Sequence, residues 1–199
     1  ATVEGAVRAS NEFKDISIAL TGPQDILKRK LDSLEYDAGR FSILDAQDII
    51  LNEESPVMAV RRKKNSSTVV GMNLLAANEA DGFVSAGSTG GVLAAATLII
   101  KRAEGIHRPA LAPVLPAAKG SVLLIDCGAN VDCKPEYLAQ FAIMGSAYMD
   151  KVIGVSNPNV GLVNNGAEAG KGNKLTKEAY PLIEQMPVRF GGNLEGRYI

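Results

Sequence analysis

The sequence has few of the side chains that bind metals or form disulfides. Its 199 residues include only two cysteines, Cys127 and Cys133, and one histidine, His107. Tetrahedral zinc sites need four such ligands at short spacing, so we do not expect a metal site of this kind. A disulfide between the two cysteines stays an open alternative, but nothing in the sequence indicates one. These absences favour a reduced, cytoplasmic protein.

Long hydrophobic runs and an excess of one charge are also missing. The longest apolar stretch, Val92 to Ile100, is much shorter than the roughly 20 residues that cross a bilayer as a helix. The 21 Lys and Arg residues nearly balance the 22 Asp and Glu residues, which leaves a net charge of -1. Nothing therefore attracts the whole chain to nucleic acid or to an anionic membrane, and any electrostatic recognition must be local.

Apolar residues, in contrast, make up 46% of the chain, which is ample for a core. Short apolar segments alternate with amphipathic ones, and this predicts an α/β fold of three layers, a mostly parallel sheet with helices on both faces. The strands are predicted at 16–20, 41–44, 82–85, 110–115, 122–125, 160–163 and 188–190. The helices are predicted at 1–13, 23–33, 66–79, 89–102, 135–151 and 173–184.

No repeat or linker interrupts this pattern, so we expect a single domain over residues 1–199. Both ends look unfinished for such a fold. The first predicted helix has no strand before it, and residues 191–199 read as a loop that leads onward. We therefore expect the domain to be incomplete at both ends.

The most informative segment is a turn between the strand predicted at 82–85 and the helix that follows. This turn, residues 85–91, contains only Ser, Ala, Gly and Thr. Glycine can adopt positive φ and let the backbone approach a ligand, and the free N–H groups that open a helix favour an anion. Ser85, Ser88 and Thr89 add hydroxyl donors, so we interpret the turn as a phosphate site. The alternative is a tight turn that needs small residues for packing.

The turn does not match the two common nucleotide motifs. Its glycine spacing is not G-x-G-x-x-G, and no lysine follows as a P-loop requires. A bound nucleotide is therefore disfavoured.

A second polar loop, residues 126–132, follows the strand predicted at 122–125. It brings Asp126, Asn130 and Asp132 to the carboxyl end of a strand, where α/β proteins bind their ligands. Two carboxylates and an amide can orient a substrate, bind a cation or transfer a proton. The alternative is purely local, an Asx turn combined with a helix cap.

A third loop, residues 163–173, is rich in glycine and contains Lys171. It resembles a P-loop only superficially, because the spacing from Gly166 to Gly170 is one residue short and Gly172 stands where Ser or Thr is needed. Lys171 can still supply positive charge to a phosphate or an oxyanion. A solvated surface lysine is the alternative.

One dense basic run, Arg61-Arg62-Lys63-Lys64, stands out from the balanced charge. Aromatic residues are not interleaved with it, so it offers no stacking platform for nucleic acid. It is either a solvated surface or a docking site for a small acidic protein.

Taken in order, these segments resemble one family, the PlsX-type phosphate acyltransferases of bacterial phospholipid synthesis. The resemblance covers essentially the whole chain and rests on residues 60–67, 83–90, 108–113, 126–132 and 170–173. Ser88 stands where that family usually carries Asn. The family's opening strand and its last third would lie before Ala1 and after Ile199, so the resemblance also implies an incomplete domain.

This resemblance implies transfer of a fatty acyl group from acyl carrier protein to inorganic phosphate, which gives acyl phosphate. It implies a fold like that of isocitrate and isopropylmalate dehydrogenases and of phosphotransacetylases. It further implies a homodimer at the cytoplasmic surface of the membrane, with no nucleotide or organic cofactor.

The residues that match the family divide into four expected roles. Phosphate binding falls to Ser85, Gly87, Ser88, Thr89 and Gly90. Charge and donors at the reacting centre fall to Lys171 and Asn173, and orientation falls to Asn130 and Asp132. Docking of the carrier protein falls to Arg61, Arg62, Lys63 and Lys64.

Phosphate is itself a competent nucleophile, so no acyl-enzyme is required, and the chain contains neither a G-x-S-x-G elbow nor a credible Cys-His pair. Two alternatives remain. One is a phosphotransacetylase-like enzyme that uses acyl-CoA, and the other is an inactive fragment that only binds carrier protein.

Overall fold

A computed structural model of the protein describes residues 1–199. The chain divides into two compact units, Ala1–Lys101 and Arg102–Ile199, and each is described by itself. Both units combine helices with strands, so the predicted α/β class is confirmed. The single domain over the whole chain stays a prediction.

Except for the helix Pro56–Arg62, the helices follow the predicted amphipathic segments closely. They are α1 (Thr2–Glu12), α2 (Gln24–Leu31), α3 (Pro56–Arg62), α4 (Ser67–Ala76), α5 (Thr89–Ala95), α6 (Pro135–Tyr148) and α7 (Lys174–Glu184). Two of them continue as π-helical turns, α5 through Ala96–Ile100 and α6 through Met149–Ile153.

The strands pair two by two rather than forming one continuous sheet. They are β1 (Ile18–Gly22), β2 (Phe41–Asp45), β3 (Val114–Pro116), β4 (Ser121–Leu123), β5 (Asn159–Asn164) and β6 (Arg189–Glu195). β1 pairs with β2 and β5 with β6, both in parallel, whereas β3 and β4 are antiparallel. Parallel pairing therefore predominates as predicted, but the three-layer arrangement around a single sheet is not what the structure has.

Prolines explain why the third pair is so short. Pro109, Pro113 and Pro116 lie within or beside β3, and proline cannot donate a hydrogen bond to a neighbouring strand. Beyond the strand ends the two segments still meet irregularly, since Leu124 donates its N–H to the carbonyl of Pro113 at 3.1 Å. The predicted strands at 110–115 and 122–125 are thus partly confirmed.

The strand predicted at 82–85 is wrong. This segment has no strand partner, and of its two large apolar side chains one packs on the core and the other is in solvent. Phe83 packs on the core cluster of α3, α4 and α5, while Val84 is 94% exposed. Gly71 makes room for the Phe83 ring, because a Cβ there would lie 2.3 Å from Cε2. The segment is an extended connection to the turn, held by one side chain.

Helix α3 was not predicted, although its start carries a sequence signal. Ser55 is the N-cap and Pro56 the first helical residue, a combination that favours a helix start. Seven residues give too few turns for a clear apolar period, so the pattern of apolar residues does not indicate this helix.

Each unit has an apolar core of its own, with two clusters in the first unit and one in the second. In the first unit one cluster joins α1, α2 and β1 through Val3, Val7, Leu20 and Leu31, and β2 packs against it. A second joins α3, α4 and α5 through Val60, Val69, Met72, Ala94 and Ala95. In the second unit α6, β5 and α7 pack through Ala139, Ala142, Leu162, Ala179 and Ile183. The second cluster fixes α3 beside the turn of residues 85–91.

Candidate functional site

The turn of residues 85–91 is organised by its own serines. Ser85 Oγ accepts a hydrogen bond from the Gly87 N–H at 3.1 Å. Ser88 is the N-cap of α5, and its Oγ accepts from the Gly91 N–H at 3.2 Å. Ser85, Gly87 and Thr89 are exposed, while Ser88 is half-buried. The turn is therefore a surface loop whose shape is set by side-chain caps, with the Thr89 hydroxyl open to solvent.

The glycines of this turn serve packing rather than an unusual backbone. None of Gly87, Gly90 and Gly91 has a positive φ, so the expectation of left-handed backbone here is wrong. A Cβ at Gly90 would lie 3.0 Å from Pro56 Cγ, and one at Gly91 would lie 3.3 Å from Ile50 Cγ2. The last two glycines let the start of α5 approach the loop before α3.

The predicted docking residues surround the end of α3. Arg61 and Arg62 lie in its last turn, and both are exposed, as is Lys64. Lys63 differs, because its Nζ pairs with Glu54 Oε2 at 2.6 Å. The Leu51 N–H and the Lys63 ammonium both donate to Glu54, and these bonds hold the pKa of its carboxyl below the usual value. Three of the four cations thus face solvent, and Lys63 holds the preceding loop.

In the second unit, Asp126 is the hub of the loop of residues 126–132. Its Oδ1 accepts from the Leu111 N–H at 2.7 Å and the Ala129 N–H at 3.2 Å. Its Oδ2 accepts from the Asn130 N–H at 2.8 Å and from Asn130 Nδ2 at 3.2 Å. Burial alone would raise the pKa of this carboxyl, but the four hydrogen bonds outweigh it and lower the pKa.

Asn130 and Asp132 differ in their hydrogen bonds and in their exposure to solvent. The Asn130 amide donates to Asp126 and, at 2.8 Å, to the carbonyl of Pro109. Asp132 is exposed, and it does not cap α6, whose N-cap is Lys134. Asn130 is therefore a structural part of the loop, and Asp132 leaves its carboxylate in solvent.

Both cysteines of this region are free thiols. Cys127 is exposed and Cys133 half-buried. Burial raises the pKa of the Cys133 thiol, and the nearby Asp126 and Asp132 carboxylates raise it further. The Cys133 thiol is therefore not activated as a nucleophile.

The loop that contains Lys171 is held in shape by backbone and amide contacts. The Lys171 N–H donates to the Glu168 carbonyl at 3.0 Å, and Asn164 Nδ2 donates to the Lys171 carbonyl at 3.1 Å. The lysine stem packs over Gly166, where a Cβ would lie 2.9 Å from Lys171 Cγ. Its Nζ is 3.9 Å from Glu168 Oε1, and the side chain is 48% exposed. A weak surface ion pair leaves this ammonium available to an anion.

Gly172 and Asn173 connect this loop to α7. Gly172 has a φ of +100°, and a Cβ there would lie 2.0 Å from Thr176 Oγ1, so only glycine fits. Asn173 is the N-cap of α7, and its Oδ1 accepts from the Thr176 N–H at 3.0 Å. Asn173 thus lies at the positive end of an 11-residue helix, and Lys171 precedes it by two residues.

Three residues that the sequence did not indicate help to shape the turn of residues 85–91 and the loop that contains Lys171. Pro56 and Ile50 contact the glycines of the first turn, and Asn164 fixes the Lys171 carbonyl. The Ser55-Pro56 helix start was the available signal, since Ile50 and Gly91 are 41 positions apart in sequence and the Asn164 contact bridges a seven-residue loop. No helix of the structure combines the length and hydrophobicity that a bilayer crossing demands.

Comparison with known proteins adds a family and a fold. A family described as "Fatty acid synthesis protein" matches residues 1–199. The phosphate acyltransferase of Clostridium novyi (strain NT) is 48% identical over 197 residues, which is 99% of this chain and 59% of that protein. The putative phosphate acyltransferase of Clostridium perfringens (strain 13 / Type A) is 50% identical over 200 residues, 100% of this chain and 59% of that protein.

A solved structure is similar in fold. The EutD phosphotransacetylase from Staphylococcus aureus superposes with a TM-score of 0.69 at 20% sequence identity, covering 98% of this chain and 64% of that one. The expected likeness to phosphotransacetylases is therefore confirmed at the level of the fold. The chain spans 59% of the length of the two curated relatives.

Proposed function

This chain belongs to the fatty acid synthesis protein family, and on that premise we propose that the protein transfers a fatty acyl group from acyl carrier protein to inorganic phosphate. The observation that carries the proposal is the 48–50% identity over the whole chain to proteins named phosphate acyltransferase. Since the chain spans 59% of those proteins, the activity is proposed for the full-length protein. The product is acyl phosphate.

The reaction needs little covalent help from the protein. A phosphate oxygen attacks the thioester carbonyl carbon, the tetrahedral intermediate collapses, and the carbon–sulfur bond breaks. The thiolate of the carrier leaves and takes up a proton. Holding the phosphate in line with the carbonyl and stabilising the oxyanion therefore account for most of the rate enhancement.

We assign phosphate binding to the turn of residues 85–91. The exposed Ser85 and Thr89 supply hydroxyl donors, the N–H groups of Thr89 and Gly90 open α5, and a helix start attracts an anion. Ser88 replaces the Asn usual in the PlsX-type family, but both residues are strong N-caps. The Ser88 cap on Gly91 supports the view that the exchange preserves the shape of the turn.

In the second unit we assign the binding of an anionic group to Lys171, with Asn173 as an added donor. The accessible ammonium and the start of α7 support this assignment. Asn130 is assigned to keep the loop of residues 126–132 in shape, through Asp126 and Pro109. Asp132, exposed at the rim of that loop, is assigned to orient substrate.

We assign docking of the acidic carrier protein to Arg61, Arg62 and Lys64, with Lys63 holding the loop beneath them. Three exposed cations on one short segment suit a negatively charged partner, chiefly by steering its approach. We also propose a homodimer at the cytoplasmic membrane surface and the finer fold likeness to isocitrate and isopropylmalate dehydrogenases, both on the basis of the family resemblance alone.

A donor comparison separates this proposal from a phosphotransacetylase-like reaction with acyl-CoA, which the fold likeness to EutD favours. The full-length protein is given inorganic phosphate with either palmitoyl-acyl carrier protein or acetyl-CoA, and acyl phosphate is trapped with hydroxylamine. We expect product from the carrier-bound long chain and at most a trace from acetyl-CoA. Preference for acetyl-CoA would replace the proposal with the alternative.

A further inference from the structure

The loop between β5 and α7 has the composition of a flexible segment. Gly166, Gly170 and Gly172 belong to it, and glycine has the greatest backbone freedom of any residue. Residues 167–171 are exposed, so packing restrains their backbone little. In the proposed function Lys171 binds an anionic group, and an ammonium stabilises developing charge well only if its position is fixed beforehand. Hydrogen bonds must therefore hold the backbone of this loop.

Two asparagines on neighbouring strands supply such hydrogen bonds. Asn164, the last residue of β5, donates from Nδ2 to the Lys171 carbonyl at 3.1 Å. Asn193, on β6, donates from Nδ2 to the Glu168 carbonyl at 2.8 Å. The same Glu168 carbonyl accepts the N–H of Lys171 at 3.0 Å. Asn193 is therefore connected to the backbone of Lys171 through a single carbonyl group.

A β-bulge decides the face from which Asn193 projects. Val160 pairs with Phe190 and Leu162 pairs with Asn193, so between these pairs β6 has two residues and β5 has one. In a regular strand, positions 190 and 193 would project from opposite faces. The extra residue brings Asn193 to the face of Phe190 and Leu162, both of which belong to the apolar packing of α6, β5 and α7. Asn193 is thus an amide on an apolar face.

An amide at this position is costly for the fold. Asn193 is only 7% exposed, and its Oδ1 is buried without a hydrogen-bond partner. A buried acceptor that has lost its water and gained no donor destabilises the folded state. Leucine has a similar size and would avoid this cost, so the stability of the fold does not explain the choice of asparagine. What the amide adds is the hydrogen bond to the Glu168 carbonyl.

We propose that Asn193 is a positioning residue for Lys171. The inference rests on the proposed function, in which the Lys171 ammonium binds an anionic group. Asn193 acts through the Glu168 carbonyl: its hydrogen bond holds the loop to β6 and so fixes the backbone from which the Lys171 side chain extends. Without that bond the lysine is still present, but its ammonium spends less time where the negative charge develops.

The test is a double-mutant cycle in the full-length protein. We would measure kcat/KM for acyl phosphate formation with the wild type, Asn193→Leu, Lys171→Ala and the combined variant. Asn193→Leu keeps the volume of the side chain and removes the donor. Asn193→Asp, which keeps the shape and lacks the N–H donor, repeats the cycle in case the leucine variant is unfolded. Thermal unfolding of every variant verifies that it is folded.

Asn159→Leu is the matched control. Asn159 is exposed and pairs with Arg189 at the other end of the same two strands. The same exchange is therefore made on the same strand pair, away from the loop. It should leave kcat/KM unchanged whether lysine or alanine occupies position 171.

We expect Asn193→Leu to lower kcat/KM roughly tenfold when Lys171 is present and less than about twofold in the Lys171→Ala protein, because a residue that acts through another has no effect once the other is removed. A merely structural role would lower activity in both proteins alike. Equal losses in the two backgrounds, or no loss in either, would overturn the inference while the proposed function stands. If Lys171→Ala keeps normal activity, or the wild-type protein makes no acyl phosphate, the proposed role of Lys171 or the proposed function itself fails, and this inference fails with it.

Discussion

At the scale of single residues, Asp126 accepts more hydrogen bonds than any other side chain described for the loop of residues 126–132. One carboxylate receives hydrogen bonds from Leu111, Ala129 and Asn130, and so joins the segment before β3 to the segment after β4. Bonds to an ionised acceptor are stronger than neutral ones. The loop that exposes Asp132 to solvent thus depends on the hydrogen bonds of Asp126.

We predict that Asp126→Asn lowers the free energy of unfolding by about 1–3 kcal/mol at pH 7, because the amide keeps the shape but provides only one acceptor atom. The pKa of Asp126 is lowered in the folded protein. Its contribution is therefore complete above the unfolded pKa, about 4, and is lost as the pH falls through the lower folded value. Urea unfolding at pH 7 and pH 3 should give a smaller difference between the two proteins at pH 3. An equal difference at both pH values would contradict this role.

Lys171 offers the sharpest residue-level test of the second unit. If its ammonium stabilises an anionic group in the reaction, Lys171→Ala should lower kcat/KM for acyl phosphate formation by roughly 10²-fold. Lys177→Ala is the matched control, since Lys177 is an exposed lysine of α7. A Lys171→Ala protein with normal activity would remove the residue from the proposed mechanism.

Local chemistry was the part of the site that the sequence could predict. Ser88 and Asn173 cap helices that begin where small and amide residues precede an apolar run, and such capping depends only on the next few residues. The sequence could not decide between a ligand role and a packing role for the glycines of the first turn, for the opposite reason. Their small size matters because Pro56 and Ile50 approach them, a contact that no local pattern encodes.

At the scale of secondary-structure elements, helix α3 connects the two proposed binding surfaces of the first unit. Its first residue touches the turn of residues 85–91, and its last turn carries exposed arginines. Seven residues span about 10 Å along a helix axis. In the proposed function, a rigid element of that length would set the distance between the reacting group and the charged part of the carrier protein.

Reversing two charges on α3 tests its role in docking. We predict that Arg61→Glu combined with Arg62→Glu raises the KM for acyl carrier protein by roughly tenfold at low salt with little change in kcat. In the wild-type protein KM should rise with ionic strength, because salt screens exposed charges. The double variant should lose that dependence.

The matched control for charge reversal is Lys28→Glu combined with Lys30→Glu, which makes the same change in net charge at exposed positions of α2. It should keep the wild-type KM and its dependence on salt. If both double variants change the KM alike, the net charge of the protein rather than α3 governs its association with the carrier protein, and the docking assignment is wrong.

Helices were predictable as elements, whereas strand pairing was not. The apolar periods of α1, α2, α4 and α7 lie within each helix, and α4 and α7 also have local caps, Ser66 and Asn173. The bounds of these four helices therefore agree with the sequence to within about three residues. A strand exists only if a partner is present. Residues 82–85 have the composition of a strand but no partner, and the prolines beside β3 limit the antiparallel pair to three residues per strand.

Side-chain contacts between positions far apart in sequence could not be predicted either. The Arg40 guanidinium donates to the carbonyl of Ser10 at 2.7 Å and to that of Ile16 at 2.6 Å. These bonds satisfy carbonyl groups at and beyond the end of α1, which lacks a basic residue in its own last turn. Nothing near Arg40 in the sequence indicates a role so far away.

At the scale of the whole molecule, the family was predictable because several weak signals occur in a fixed order. No single loop identifies the protein, yet five segments in sequence resembled the PlsX-type phosphate acyltransferases, and relatives with that activity in their names match the full chain. The α/β class followed from the alternation of short apolar segments with amphipathic ones. The division into two units, in contrast, is not marked in the sequence by a change of composition or by a linker.

The central claim is that phosphate, rather than water, receives the acyl group. It is tested most directly by incubating the full-length protein with palmitoyl-acyl carrier protein and ¹⁸O-labelled inorganic phosphate, then measuring acyl phosphate and free carrier thiol together by mass spectrometry. We predict equal amounts of the two products, ¹⁸O in the acyl phosphate, and no thiol release when phosphate is omitted. Thiol release that proceeds without phosphate and yields free fatty acid would contradict the account.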